Sequence, residues 1–342
     1  MAAYLGRVRE THRRLSVLIG ALALAAQGLA FAQRQEEAAR IGVLYYYVPL
    51  SEVEAYPPSR ALVQGLREKG WVEGRNLRIV WRSAEGNPER VPQLVEELVR
   101  IPVDVLVGAG NDMAVESVKR FPSLPVVLPS ADFPVESGLV ASLSRPGGSI
   151  TGVSNWVGRS LNAKRLSLLK EAVPGLTRVA FLGPAAIRRE PGFSPETQAA
   201  ADAIGVSMVK VVADRPADLE QAFEDARRLG ANGIFVIDYP FAFLKKHQVM
   251  ISEMAARHRL PAIHSASTAP EAGALLTYAH DISENFRRAG HLVDKILRGA
   301  KPAEIPFEEP ARLELVVNLR AARAIGLTVP PSILIQASRI IE

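Results

Sequence analysis

From about residue 40 onward, short runs of β-branched and other apolar residues alternate with stretches whose apolar residues recur every three or four positions. The runs have the length of buried strands and the stretches have the period of amphipathic helices. This alternation is typical of βαβ units and parallel sheets. The pattern therefore predicts an α/β protein.

The same succession of elements occurs twice. Predicted strands follow one another at 40–44, 77–80, 103–107 and 124–128 in the first half, and at 178–182, 209–212, 233–237 and 260–264 in the second. The offset is 178 − 40 = 138 at the first strand and 261 − 125 = 136 at the fourth. Four strands in register rarely arise by chance, so we predict two similar, doubly wound parallel-sheet lobes.

The chain should pass between the lobes more than once. A glycine-rich stretch over 147–155 joins the halves, and 313–319 has the pattern of a last strand. Between them, 281–299 has the pattern of one long helix, with Asp281 or Ser283 as its cap and Gly299 at its end. We assign 40–153 plus about 278–305 to lobe 1, and 154–277 plus about 306–342 to lobe 2. If the long helix packs on lobe 1 and the last strand on lobe 2, three crossings form a multi-strand hinge.

The amino terminus has the features of an export signal. Four arginines precede an apolar run over 15–26, which is shorter than the roughly 20 residues that cross a bilayer, and Ala30-Phe31-Ala32 follows as a small-x-small site. We predict a cleaved signal peptide over 1–32, through either the Sec or the twin-arginine route, and hence a periplasmic protein. The alternative is an amphipathic helix that is retained.

Charge and cysteine content narrow the function classes. The chain has 41 Lys+Arg and 36 Asp+Glu, a net charge of +5, but residues 1–32 hold four Arg and one Glu, so the remaining 310 residues (342 − 32) carry 37 − 35 = +2. The basic balance thus gives little support to nucleic-acid binding. The absence of cysteine excludes disulfides, thiolate metal sites, thiol nucleophiles and a lipid-modified amino terminus.

Ligands of open parallel sheets bind beyond the carboxyl ends of the strands, which selects the loops that follow the predicted strands. Two lobes that face each other would place these loops around one cleft. The candidate ligand-binding residues on them and at the lobe junction are Tyr45, Tyr47, Gly110, Asn111, Asp112, Asp132, Phe133, Asn155, Pro184, Asp238, Tyr239 and Ser265.

The turn around Gly110 suits an anion. A helix that begins near Asn111 or Asp112 would direct free backbone N–H groups and its positive dipole end toward a carboxylate. A dinucleotide fingerprint is excluded because Met113 stands where its third glycine should be. The alternative is a tight strand-to-helix turn capped by Asn or Asp.

The other candidates suit the rest of a small organic ligand. Asp132 or Asp238 could pair with a ligand ammonium, although each could equally be a helix cap or a solvated turn residue. Tyr45, Tyr47 and Tyr239 could bury the apolar body of the ligand, or pack in the lobe cores instead.

Catalytic and metal-binding patterns are missing. The chain contains no Gly-x-Ser-x-Gly elbow, Walker loop or His-Glu-x-x-His motif, and its histidines lack metal-ligand spacing. His264, at a strand end, either lines the cleft or packs within the lobe. We therefore expect a binding protein without a cofactor or a metal, and not an enzyme.

Several passages resemble the tryptophan/tyrosine-type substrate-binding proteins of ABC transporters. They lie at 64–77, 137–148, 164–175 and 317–332 and span almost the whole chain after the signal. The resemblance implies a type I-like, two-lobed periplasmic binding fold that closes on a small molecule. It also implies delivery to a permease with a cytoplasmic ATPase, so that the membrane is met only through the permease; we expect a monomer.

The predicted cleft loops depart from the pattern of that family at Gly110-Asn111-Asp112, at Asp132-Phe133-Pro134 and at Gly183-Pro184. The ligand therefore stays open, with an amino acid or a related small acid as the leading class. A ligand-sensing module for a membrane kinase or chemoreceptor is the alternative function. An exported α/β transferase is disfavoured because no nucleophile–base pair is visible.

Overall fold

The computed structural model describes residues 38–108, 110–131, 133–154, 161–185, 193–237, 240–310 and 313–342. The predicted signal segment, 1–32, lies outside the described residues.

Lobe 1 is built on a five-stranded parallel sheet in the order β2-β1-β3-β4-β5. Its strands are β1 (Ala39–Tyr45), β2 (Leu77–Ser83), β3 (Val105–Gly108), β4 (Val126–Ala131) and β5 (Ile150–Ser154). The helices between them are α1 (Pro57–Glu68), α2 (Val91–Arg100) and α3 (Asn111–Arg120).

Lobe 2 is built on a seven-stranded sheet in the order β12-β11-β10-β9-β8-β6-β7, in which β11 runs antiparallel to β10. Its strands are β6 (Arg178–Gly183), β7 (Ser207–Val212), β8 (Gly233–Val236), β9 (Ala262–His264), β10 (Leu276–His280), β11 (Leu313–Asn318) and β12 (Arg339–Ile341). The helices in this half are α4 (Leu161–Ala172), α5 (Pro195–Ala203), α6 (Leu219–Arg228), α7 (Pro240–Phe243), α8 (Lys245–Arg257), α9 (Ile282–Leu297), α10 (Leu319–Ala324) and α11 (Pro331–Gln336).

The strand order confirms the predicted fold class and its internal repeat. The order β2-β1-β3-β4 in the first sheet matches β7-β6-β8-β9 in the second, and all eight strands are parallel to their neighbours. Strands β10 and β12 were not predicted. The sequence of β10 mixes polar with apolar residues, and β12 has only three residues, so neither shows a clear strand period.

The long helix predicted over 281–299 is α9, and its ends form as expected. The Asp281 side chain accepts a hydrogen bond from the Ser283 backbone N–H at 2.8 Å, and Gly299 adopts a left-handed φ of 100° directly after the helix. Although α9 follows β10 of lobe 2, its apolar face lies in the core of lobe 1. There Phe286 and Leu292 are buried with Ile41 of β1.

Two glycines bring α9 and α1 into close contact. A Cβ at Gly65 would overlap the backbone carbonyl oxygen of Arg287, and one at Gly290 would lie 2.8 Å from the carbonyl oxygen of Leu62. Neither neighbour can move away easily, because both are backbone atoms inside helices. The two helices therefore depend on glycine at both positions.

After α9 the chain stays with lobe 1 before it returns to lobe 2. The backbone of Glu308 pairs alongside β5, through hydrogen bonds of 2.9 Å to Gly152 and 2.8 Å from Ser154. The Glu308 carboxylate also forms a 2.6 Å ion pair with Arg288 of α9. The return crossing therefore begins after Glu308.

We predict that Gly65→Ala destabilises the protein strongly, because the added methyl group would force α1 and α9 apart. Overpacking of this kind costs about 1–3 kcal/mol. The matched control is Gly148→Ala, since a Cβ there meets no atom within 4 Å. Urea unfolding followed by circular dichroism measures both variants, and equal midpoints would contradict the inferred role of the helix contact.

Candidate functional site

The loops predicted to bind a ligand do follow the carboxyl ends of parallel strands. In lobe 1 they come after β1, β3 and β4, and in lobe 2 after β6, β8 and β9. Of the candidate residues, Asp132, Asn155, Asp238 and Tyr239 lie outside the described residues, and only the backbone of Asp112 is described.

Tyr45 lies in the core of lobe 1, which was the alternative to cleft binding. Its side chain is 3% exposed, its hydroxyl lies 2.7 Å from Ser59 Oγ, and its ring stacks on Phe286 at 5.9 Å between centroids. Burial raises the pKa of Tyr45 well above its usual range. Tyr47 is half-buried, with its ring 4.2 Å from that of Tyr46.

The turn after β3 was predicted either to bind an anion or to be a tight turn capped by Asn or Asp. Helix α3 begins at Asn111, and Gly110 occupies the N-cap with φ 114°, so the N-cap residue has no side chain that could cap this helix. The first N–H groups of α3 thus have no side-chain acceptor from the N-cap residue. A Cβ at Gly108 would overlap the terminal methyl group of Met113, so any larger residue there would have to displace the end of that side chain.

Phe133 is the candidate whose ring faces solvent. It is 40% exposed and has a left-handed φ of 46°, a conformation that costs a non-glycine residue about 1–2 kcal/mol. Leu50, after β1, is another exposed apolar residue of lobe 1, at 47%. An exposed aromatic side chain on a strained backbone agrees with a binding role.

The lobe 2 candidates are held by local hydrogen bonds. Ser265 is 4% exposed, and its hydroxyl donates to the carbonyl oxygen of Val236 at 2.8 Å. Pro184 is half-buried, and the next residue, Ala185, donates its N–H to Asp214 Oδ1 at 3.1 Å. Because the Ser265 hydroxyl already donates to Val236, it holds the loop in place and has no proton left to donate to a ligand.

A cavity of about 730 Å³ lies between the two lobes, beside the crossing from β10 to α9. Lobe 1 contributes the start of α1 and the loop before it, while lobe 2 contributes one face of β10 and β11 and the loop after β9. Lining residues include Glu52, Tyr56, Arg60, Lys245, Ser267, Thr268, Thr277, Ala279, Asp281, Ser283, Glu314 and Arg339.

Charges of both signs line this cavity. Arg339 forms an ion pair with Glu271, whereas Glu52, Arg60, Lys245 and Glu314 form none with the residues that the structure describes. Burial raises the pKa of Tyr56 to about 12, so its phenol stays protonated at neutral pH. The cavity can therefore offer cations, carboxylates and hydroxyl groups to a small polar molecule.

Sequence reasoning missed most of this cavity, apart from the loop after Ser265. Thr277 and Ala279 belong to β10, which was not predicted, and their register neighbours Val316 and Glu314 were expected only in a last strand. No motif connects these positions. The weak signal available was the alternation of polar and apolar residues over 313–318.

Two histidines, the buried His264 and the half-buried His280, lie at the carboxyl ends of β9 and β10. His264 is 1% exposed, and neither its Nε2 nor the Nδ1 of His280 has a hydrogen-bond partner among the described residues. Burial lowers the pKa of His264 to about 3; burial, and then the nearby charge of Arg165, lowers that of His280 to about 4. His264 is thus a buried neutral residue, the alternative to a cleft-lining one.

Across the described ranges, no group of three or more His, Asp and Glu side chains is arranged to hold a metal ion. None of the described helices combines the length and the apolar composition needed to cross a membrane.

The family model described as ABC transporter substrate binding protein matches residues 49–341. A tyrosine-binding protein of Clostridioides difficile is 20% identical over 274 residues, which are 78% of this chain and 76% of that protein.

Solved structures share the fold. A conserved domain protein of Vibrio cholerae superposes with a TM-score of 0.76 at 24% identity, and an ABC domain from Streptococcus pneumoniae in complex with L-Trp with 0.74 at 23%; each match covers 89% of this chain and 100% of the other. A leucine-binding protein from Thermotoga maritima has a TM-score of 0.53 at 11% identity, over 76% of this chain and 83% of that one. The two lobes thus have the fold of type I periplasmic binding proteins.

We predict that acid destabilises the protein before its carboxylates titrate. A histidine with a lowered pKa stays neutral in the folded chain but takes up a proton near pH 6.5 when unfolded. Stability is therefore full above about pH 6.5 and falls by about 1.4 kcal/mol per pH unit for each such histidine as the pH drops toward 4.5.

Urea unfolding at pH 7, 6 and 5 tests this expectation. His264→Gln should reduce the pH slope, because glutamine takes up no proton in either state. An unchanged slope in both His264→Gln and His280→Gln would contradict the assignment.

Proposed function

Because the chain belongs to the ABC transporter substrate-binding protein family, we propose that it is the periplasmic receptor of an ABC importer. In this role it binds a small solute between its lobes and presents the closed form to a permease with a cytoplasmic ATPase. Binding stabilises the closed state only if the ligand contacts both lobes.

The inter-lobe cavity is the observation that carries this proposal. Its walls come from both lobes, and its volume of about 730 Å³ falls within the range of small-molecule sites, roughly 300–1,000 Å³. A ligand held there joins the start of α1 to the face of β10 and β11. Lobe closure is then coupled to ligand binding.

The proposed ligand is an amino acid or a related small acid. An amino acid carries a carboxylate and an ammonium, and the cavity is lined by the cations Arg60 and Lys245 and by the carboxylates Glu52 and Glu314, which form no ion pair with another described residue. Charge-assisted hydrogen bonds to both ends would fix the orientation of the ligand. The relatives named for tyrosine and L-Trp support the same class.

The described residues of the loops after β3 and β4 do not line this cavity, and we propose these loops as a second set of ligand contacts. Asn111 and Asp112 would hold an anionic group through the N–H groups of α3, Asp132 or Asp238 a cationic group, and Phe133 and Tyr239 the apolar body. The basic, then apolar amino-terminal segment supports export to the periplasm through a cleaved signal over 1–32.

We predict that the full chain gains thermal stability with at least one member of a panel of L-tryptophan, L-tyrosine, L-leucine and small carboxylates. A ligand at one hundred times its Kd adds about 2.7 kcal/mol to the free energy of unfolding. Differential scanning fluorimetry reports the shift, and native mass spectrometry reports a co-purifying molecule. No shift across the panel, with no bound molecule, would contradict receptor function.

We predict that Arg60→Gln weakens the binding of such a ligand about five- to tenfold, which corresponds to 1–1.4 kcal/mol. Arg67→Gln is the matched control, because Arg67 is an exposed arginine of the same helix that does not line the cavity. Isothermal titration calorimetry measures both. Equal affinities would exclude this cavity as the ligand site while leaving receptor function open.

A further inference from the structure

Arg165 is a charged residue buried where the chain enters lobe 2. It lies in the second turn of α4, the helix that follows the first crossing between the lobes, and it is 3% exposed. A buried charge is costly unless hydrogen bonds replace its water. The hydrogen bonds of this guanidinium therefore indicate why the charge is buried.

Among the described residues, the guanidinium donates hydrogen bonds to one acceptor in its own helix and to two that lie far away in the chain. Nε donates to the carbonyl oxygen of Tyr278 at 2.7 Å, Nη2 to that of Ser265 at 3.2 Å, and Nη1 to Asn162 Oδ1 at 3.1 Å. Two of the acceptors are backbone groups of lobe 2, one in β10 and one directly after β9. Arg165 thus ties the first helix of lobe 2 to two neighbouring strand ends.

The end of β10 leads directly to the second crossing, and the loop after β9 is hydrogen-bonded to it. Tyr278 lies three residues before Asp281, which caps α9 in lobe 1. Ser265 begins the loop in which Ser267 Oγ accepts a hydrogen bond from the N–H of Ile282, the first residue of α9, at 3.4 Å. The Arg165 side chain therefore connects the helix that follows the first crossing with the strand end and the loop that precede the second.

The planar shape of arginine matters here. Its donors lie in one rigid fork, so bonds to two carbonyl oxygens fix the spacing between the peptides that carry them. Lysine keeps the charge but has a single tetrahedral ammonium on a flexible stem. It cannot hold both carbonyls in the same geometry, and one of these buried acceptors would lose its partner.

We propose that Arg165 is a positioning residue for lobe closure, which sets the spacing between the first and second inter-lobe crossings. The proposal rests on the proposed receptor function for its biological meaning, but the geometry it describes exists without ligand. Loss of the fork lets the lobes sample a wider range of openings, so that a smaller fraction of molecules is ready to bind.

The absence of cysteine from the sequence permits a direct measurement of lobe spacing. Lys119→Cys on α3 and Glu224→Cys on α6 place one spin label at an exposed position of each lobe. Double electron–electron resonance on the full chain then gives the inter-lobe distance distribution. Arg165→Lys is compared with Arg178→Lys as the control. In the parent, the Arg178 guanidinium bonds Ser207 Oγ and the Leu229 carbonyl oxygen, both at 2.8 Å, at the start of β6.

We expect Arg165→Lys to widen the ligand-free distribution about twofold, and to weaken the binding of L-tryptophan or L-tyrosine about tenfold if either binds the parent. Arg178→Lys should change neither. A parent-like distribution for Arg165→Lys, or equal widening in both variants, would overturn the proposal.

If Arg165→Lys does not fold, Arg165→Gln takes its place, since its single amide nitrogen removes the buried charge and cannot reproduce the fork that bonds both carbonyls. A distribution unchanged from the parent would then count against the proposal. These distances are measured without ligand, so failure of the hinge proposal and failure of receptor function are separate results.

Discussion

The contact between α9 and α1 is the constraint on which the architecture depends. Helix α9 fills the face of the first sheet with Phe286, Ala289 and Leu292, and it can do so only because Gly65 and Gly290 let the two helix backbones approach. The chain on either side of α9 is tied to different places, with β10 in the second sheet before it and Glu308 beside β5 after it. The lobes must therefore be joined by three crossings, which favours hinge motion over free rotation.

The same constraint creates the inter-lobe cavity. It brings the starts of α1 and α9 side by side and sets them against the face formed by Thr277, Ala279 and Glu314. The charged groups of this cavity are still in reach of water, so they avoid the desolvation cost of deeply buried charges. A ligand that replaces this water has to satisfy the same groups, which is why charge complementarity decides what fits.

The carboxyl edge of the second sheet is densely hydrogen-bonded beside this cavity. The hydroxyl of Thr277 donates to the carbonyl oxygens of His264 and Ala266, that of Ser265 to Val236, and Arg165 binds two more backbone carbonyls. Buried carbonyl groups need such donors because water is excluded from them. These bonds therefore give the edge a defined shape.

The sequence by itself determined the local elements and their repetition. The apolar periods at 40–44 and 178–182 predicted β1 and β6, and Gly299 marked the end of α9. The matching succession of strands in the two halves was also visible, because burial on a sheet or against a core imposes a period on the sequence. Tertiary structure alone decided that Tyr45 packs in a core rather than in a cleft, since either place suits a tyrosine at a strand end. It also decided the cavity, since Arg60, Lys245 and Glu314 lie far apart in the chain and meet only through the return of α9 and the antiparallel pairing of β10 with β11.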